Sequence, residues 1–265
     1  MKPSIIIGQY LPGQSLLHRL DPRTKLLSVL CFVIVIFFAN NWSSYSLLTG
    51  LSLLAVWISK IPLTYLLKGM TPVWFFVVFT FFIQLFLRKE GTLLFELGFV
   101  TIYENGIRQG TFIALRFFLL FLIASLLTLT TSPMELTDAL EDLLAPLKKW
   151  KFPVHELSLM MSISLRFIPT LMEETEKISK AQASRGVDFK TGKLKDRIYA
   201  IVPLLIPLFI SAFKRAEELA MAMEARGYQG GEGRTKLRKL IFTRLDIQFI
   251  CLYSIALIMF FYIIL

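Results

Sequence analysis

The chain has 265 residues, 55% of them apolar and 14% aromatic, with a mean hydropathy of +0.63 and a formal net charge of +10. That composition excludes an ordinary soluble domain and places the chain among multi-pass membrane proteins. The basic excess is expected on the cytoplasmic side, facing anionic lipid or an acidic partner, rather than on nucleic acid.

Residues 1–24 form a polar arm. They lack an apolar core and carry Pro3, Pro12, His18 and Arg19, so the first apolar run reads as a retained span rather than a cleaved signal. Leu20-Asp21-Pro22-Arg23-Thr24-Lys25-Leu26 is a helix start, with Asp21 as cap and Pro22 at the first position. Arg23 and Lys25 are expected at head-group level. Membrane spans follow over about 25–39, 42–59, 70–87 and 110–131, and a last one over about 246–265, each near the ~20 residues that cross the hydrocarbon. The two cysteines, Cys31 and Cys251, fall inside apolar runs and are expected as buried free thiols.

Between the fourth and fifth spans lies a long charged block, 132–243. Ser132-Pro133-Met134-Glu135 is a capping box that opens a helix running to about 144 and breaking at Pro146. A second helix starts near Val154. Its Leu157, Met160, Met161, Ile168, Leu171 and Ile178 recur at three- and four-residue steps. It closes at Arg185-Gly186. A polar turn over 188–196 leads to a third helix, about 197–226, which closes at Arg226-Gly227. Gly230, Gly231 and Gly233 then make a loose exit towards Arg234, Lys236, Arg238 and Lys239. The apolar part of the third helix, 198–213, is about 24 Å of helix and holds Pro203 and Pro207. It is expected to lie on the membrane, not across it.

The expected fold is therefore an all-α membrane protein of about five transmembrane helices, with a three-helix cytoplasmic block between the fourth and fifth. Its parts are an arm (1–24), a four-span membrane domain (25–131), the block (132–243) and a last span (244–265). The positive-inside rule puts the arm, the 60–68 loop and the block in the cytoplasm, and the 88–109 loop and C-terminus outside.

The spans are nearly free of ionisable residues, apart from Arg116 in the fourth, which argues against a pore with its own charged pathway. Catalytic signatures are missing. Gly8 to Ser15 spaces glycines like a phosphate loop but has Gln14 where lysine is needed. His18 and His155 stand far apart without further ligands at metal spacing, so no metal site is expected. Glu173, Glu174 and Glu176 read as a solvated helix face rather than a catalytic pair.

The block repeats one pattern: Ala183-Ser184-Arg185-Gly186 and Ala225-Arg226-Gly227, with the arginines 41 positions apart. Glu176 and Glu217 each precede their arginine by nine residues, and Ala181 and Ala222 by four. Arginine before a helix-ending glycine can serve only to cap the helix. Two copies with small residues in the last turn instead suit two helix tips that enter grooves and meet carboxylates there.

These motifs, with the 20–26 stretch and Arg166-Phe167-Ile168-Pro169, resemble the EcfT/CbiQ family, the transmembrane coupling subunits of energy-coupling factor (ECF) transporters. The first motif has Ser184 where the family has alanine. The resemblance covers essentially the whole chain and implies a non-catalytic subunit in the bacterial plasma membrane. It implies as partners two ABC-type ATPases, which would hold the ATP and magnesium, and a membrane-embedded substrate-binding S-component for vitamins or other micronutrients. By the same resemblance, Ala183, Ser184, Arg185, Gly186, Ala225, Arg226 and Gly227 dock the ATPases. Met160, Met161, Leu171, Leu205 and Phe209 belong to the S-component platform. No cofactor is implied for this chain itself. The alternatives are a stand-alone transporter or ABC permease with its own substrate pathway, and a membrane enzyme.

Overall fold

In the computed structural model, residues 10–88, 91–97, 100–187, 194–230 and 240–264 are described. Most of the turn expected over 188–196, and the basic exit from Gly231 to Lys239, lie outside them. In chain order come α1 (Leu16–Arg19), α2 (Pro22–Phe38), α3 (Trp42–Ser59), α4 (Leu63–Gly69) and α5 (Thr71–Leu87). A hairpin of β1 (Leu93–Leu97) and β2 (Val100–Tyr103) precedes α6 (Glu104–Thr130) and α7 (Pro133–Leu144). After a 3-10 turn, Ala145–Trp150, come α8 (Val154–Ser184), α9 (Leu194–Ala225) and α10 (Arg244–Ile264). The chain forms two compact units, Met1–Ala139 with Leu240–Leu265, and Leu140–Lys239.

Among the described residues the fold is helical apart from that antiparallel hairpin, which pairs Leu97 with Val100 and Leu93 with Tyr103. It stands where a plain loop over 88–109 was expected, and α6 starts at Glu104 rather than near Gly110. By length and composition α6 and α10 can cross a membrane, as can Tyr199–Ala225 of α9. Helices α4 and α5 qualify together as one span bent by 61°. Among the described residues that makes three such helices, or four with the bent pair, against the five expected spans. Helices α2 and α3 have only 17 and 18 residues, roughly 25 Å each. The third helix of the block matches its expected extent: α9 runs through Pro203 and Pro207 to Ala225.

In the first unit, Phe32, Val35 and Ile36 of α2 pack with Tyr45 and Leu48 of α3, Leu119 of α6 and Phe260 of α10. Phe112 of α6 stacks on Tyr45 at 4.9 Å between centroids. A second cluster joins Val56, Leu66, Met70 and Val73 to Leu122 and Leu126. Outside these clusters the large apolar side chains point outward, among them Trp57, Phe75 and Tyr262. An apolar surface of that extent suits hydrocarbon rather than water. Cys31 and Cys251 belong to this outer surface: both are free and exposed, not buried as expected.

Polar groups tie the helix ends together. Asp21 caps α2, its Oδ1 accepting from Arg23 N at 2.8 Å. Asp246, fully buried, accepts from Asp21 N at 2.7 Å and from Thr243 N at 2.7 Å. Lys25 is only 5% exposed, buried among the helix ends rather than on the surface. Its Nζ donates to Thr130 O at 3.1 Å, at the end of α6, and to His18 O at 3.3 Å, in α1. Arg23 donates to Leu240 O at 3.0 Å and lies over the Phe242 ring. Ser132 and Glu135 form the expected reciprocal box, with bonds of 3.2 and 3.3 Å.

Candidate functional site

The second unit presents the two repeated tips. Helix α8 ends with Gly186 at φ +89°, and α9 ends with Gly227 at φ +73°. Gly186 N donates to Ala183 O at 3.0 Å and Val187 N to Gln182 O at 3.1 Å. The second tip repeats this, with Gly227 N to Glu224 O at 2.9 Å and Tyr228 N to Met223 O at 3.0 Å. Both are Schellman caps, in which a left-handed glycine lets two amides turn back onto the last carbonyls. A Cβ at either glycine would meet nothing within 4 Å. The backbone conformation alone therefore requires glycine there.

Each cap leaves its arginine on the outside of the turn. Ala183, Ser184, Arg185 and Gly186 are all exposed, as are Ala225, Arg226 and Gly227. Among the described residues neither guanidinium has an ion-pair partner. The tips are thus two copies of one shape: a blunt, small-residue helix end with one free fork of donors.

Helices α8 and α9 run antiparallel. Gln182 Nε2 donates to Pro203 O at 3.2 Å near one end. In the middle, Glu174 accepts from the Ser211 hydroxyl and from Arg215 NH2 at 3.0 Å. At the other end Arg226 shares a groove with Leu159, Ile163 and Arg166. The tips consequently lie at opposite ends of the hairpin, roughly 30 Å apart at 1.5 Å per residue from Arg166 to Arg185. The Ser211 hydrogen bond first, and the Arg215 charge beside it, hold the Glu174 carboxyl below the usual carboxylate range. In the sequence Glu174 looked like part of a solvated acidic face. It is instead the polar link between the helices.

The expected platform residues do not form one compact patch. Met160 and Met161 are exposed near the Arg226 end, whereas Leu205 and Phe209 are exposed near the Arg185 end. Leu171 is half-buried and lines an apolar groove between the helices with Ala212, Ala216 and Ala220. The exposed apolar strip continues through Ile168 and Met172 on α8 and Ile210 and Phe213 on α9. Met172 and Phe213 are 41 positions apart, so the repeat itself was the signal that could have added them.

Other candidate residues have structural partners. His155 Nδ1 meets Glu141 Oε1 at 3.3 Å, and Ser158 donates to Glu141 Oε2 at 2.9 Å, which fixes the start of α8. His18 Nδ1 meets Ser15 Oγ at 2.6 Å and its Nε2 meets Leu11 O at 3.0 Å, which folds the arm. Arg116 donates to Ala39 O at 3.1 Å, capping the C-terminal end of α2.

Residues 13–237 match the family described as the cobalt transport protein CbiQ. The chain is 58% identical over 262 residues to the energy-coupling factor transporter transmembrane protein EcfT of Bacillus subtilis (strain 168), covering 98% of this chain and 99% of that one. Its identity to the protein of the same name from Brevibacillus brevis is 56% over 246 residues, 93% of each chain. With the one from Streptococcus thermophilus it is 48% over 258 residues, 97% and 98% of the two chains. The chain belongs to the CbiQ family, among the transmembrane components of energy-coupling factor transporters.

Proposed function

We propose that this chain is the coupling subunit between a pair of ATP-hydrolysing subunits and a substrate-binding membrane partner. The tip at Arg185-Gly186 docks in a groove of one ATPase, and the tip at Arg226-Gly227 docks in a groove of the other. The observation that carries this reading is the pair of matching Schellman-capped arginine tips, exposed at opposite ends of one hairpin. A separation of roughly 30 Å suits two like grooves on a two-subunit partner better than two contacts on one subunit.

ATP-driven closure of the ATPase pair would pull the tips together or let them part. The hairpin transmits that motion because α8 and α9 are joined at their centre by Glu174, Ser211 and Arg215. Its exposed apolar strip, from Met160 and Met161 to Leu205 and Phe209, meets the substrate-binding partner, and methionine suits a surface that accepts more than one occupant. The partner then reorients and releases a vitamin or other micronutrient. ATP and magnesium stay with the ATPases, and this chain does no chemistry.

In this reading the arm and the second unit are cytoplasmic and the C-terminus is outside. Helix α9 lies along the membrane surface although Tyr199–Ala225 is long enough to cross. Crossing would place one tip outside, beyond any ATPase, and would carry Lys214, Arg215, Glu217 and Glu218 into the hydrocarbon, at high cost. Co-purification from the native membrane tests the proposal. The wild-type chain should bring down two ATPase subunits per copy, and an Arg185→Glu/Arg226→Glu variant none. Equal recovery by the variant would reduce the motifs to helix caps.

A further inference from the structure

The end of α6 that begins at Glu104 borders an open pocket of about 390 Å³ that the coupling reading does not use. Arg88, Arg108 and Arg116 line it, together with Asn40, Asn105 and Gln109. Its construction follows from two glycines. A Cβ on Gly106 would come within 3.2 Å of Arg88 O and 3.3 Å of Leu85 O. One on Gly110 would come within 3.3 Å of Phe81 O. The first turns of α6 therefore press directly on the last turns of α5, as in small-residue helix contacts of membrane proteins. That approach brings Arg88, just past the end of α5, beside the α6 stripe of Asn105, Arg108, Gln109 and Arg116, which recurs at helical steps. Asn40, in the turn after α2, closes the third side.

The pocket concentrates positive charge. Among the described residues no carboxylate lines it, and none of the three arginines has an ion-pair partner. Glu104 is engaged by the Thr92 hydroxyl and is not part of the lining. Arg116 uses one nitrogen on Ala39 O, lies 5.4 Å from the Phe37 ring centroid and stands beside the Tyr45 hydroxyl. Arg108 lies 5.6 Å from the Phe112 ring centroid. Arg88 and Arg108 are exposed at the mouth. Three like charges in one recess repel unless an anion joins them, and the positive end of the α6 dipole adds to the same field. Guanidinium forks and amide donors suit the oxygens of a phosphate group.

We propose that this pocket binds a phosphate group, most directly that of an anionic phospholipid. Helix α6 is 27 residues long, so its end reaches the level of the head groups. Phosphodiesters are the abundant anions there, and free phosphate offers the same oxygens.

The test uses the purified full-length chain. Native mass spectrometry reads retained lipid after incubation with phosphatidylglycerol or with phosphatidylcholine. Thermal unfolding is followed with phosphatidylglycerol in the micelle, or with inorganic phosphate in phosphatidylcholine. Three forms are compared: wild type, Arg88→Gln/Arg108→Gln, and a charge-matched control, Lys148→Gln/Lys149→Gln. Wild type and control should retain phosphatidylglycerol and be stabilised by it, and the arginine variant should bind at least about 10-fold more weakly, the loss of one or two charge-assisted contacts. If inorganic phosphate alone stabilises wild type and not the arginine variant, the pocket's ligand is soluble phosphate. If the double variant does not fold, Arg88→Gln alone, at an exposed position beyond α5, should weaken binding about 3-fold. Equal binding by all forms, or an equal loss in the lysine control, overturns the proposal.

Discussion

Glu174 and Arg215 meet at 3.0 Å across the hairpin, from positions that each stand eleven residues before a tip arginine. Equivalent points of the two repeats therefore touch, and Arg185 and Arg226 extend equally far from the contact in opposite directions. A single charge pair sits at the pivot of a nearly two-fold arrangement. Reversing either charge alone should loosen the pivot, seen as faster amide exchange in the middle of α8 and α9. The swapped variant, Glu174→Arg/Arg215→Glu, should recover part of the protection. Lowering the pH should mimic the loss: the depressed Glu174 value contributes stability above the ordinary carboxylate range and loses it as pH falls through the folded-state value.

Gly186→Ala and Gly227→Ala should each strain the tip by about 1–2 kcal/mol, because a side chain resists the left-handed conformation. Neither glycine has a neighbour within 4 Å, so the cost is conformational and not steric. Asparagine, which tolerates that conformation, should cost less at both positions. Amide exchange at Val187 and Tyr228, the outermost bonded groups of the caps, would rank the variants.

Much of this was legible in the sequence where a local rule decides the outcome. Asp21-Pro22, the Ser132–Glu135 box and both Arg-Gly ends form as the local chemistry requires. What escaped depends on partners distant in the chain. Lys25 looks like an interfacial lysine until the end of α6 arrives to accept its protons. Glu174 looks solvated until α9 folds back with Ser211 and Arg215. Gly106 fell in the expected loop and Gly110 at the edge of a span, and only the approach of α5 gives the pair its role. The hairpin of 93–97 and 100–103 was hidden because the charged residues of 88–109 made that stretch read as a loop between spans.

Gly106→Val or Gly110→Leu should separate α5 from α6 and destabilise the first unit by about 1–3 kcal/mol, as overpacking does. Gly50 of α3 is the control, since a Cβ there meets nothing within 4 Å and Gly50→Ala should be harmless. Thermal unfolding in one detergent at one lipid ratio compares the three.

His18 links the arm to pH. Burial above all, with the Lys25 charge, pulls the ring below its ordinary value of 6.5, against the Leu11 hydrogen bond and the Glu135 charge, which raise it. The neutral ring accepts from Ser15 and donates to Leu11, so its contribution is complete above pH 6.5 and is lost as pH falls through the lower folded value. Wild type should lose more thermal stability between pH 7.5 and about 5.5 than His18→Gln does.

The central claim is that one chain holds two ATPase subunits, one at each tip. Photo-reactive residues placed at Ser184, at Ala225 and at both would test it in intact membranes. Each single site should yield the chain joined to one ATPase, and the double site should yield a product carrying two. A double-site product that carries only one ATPase, or no product from either site, would contradict the account.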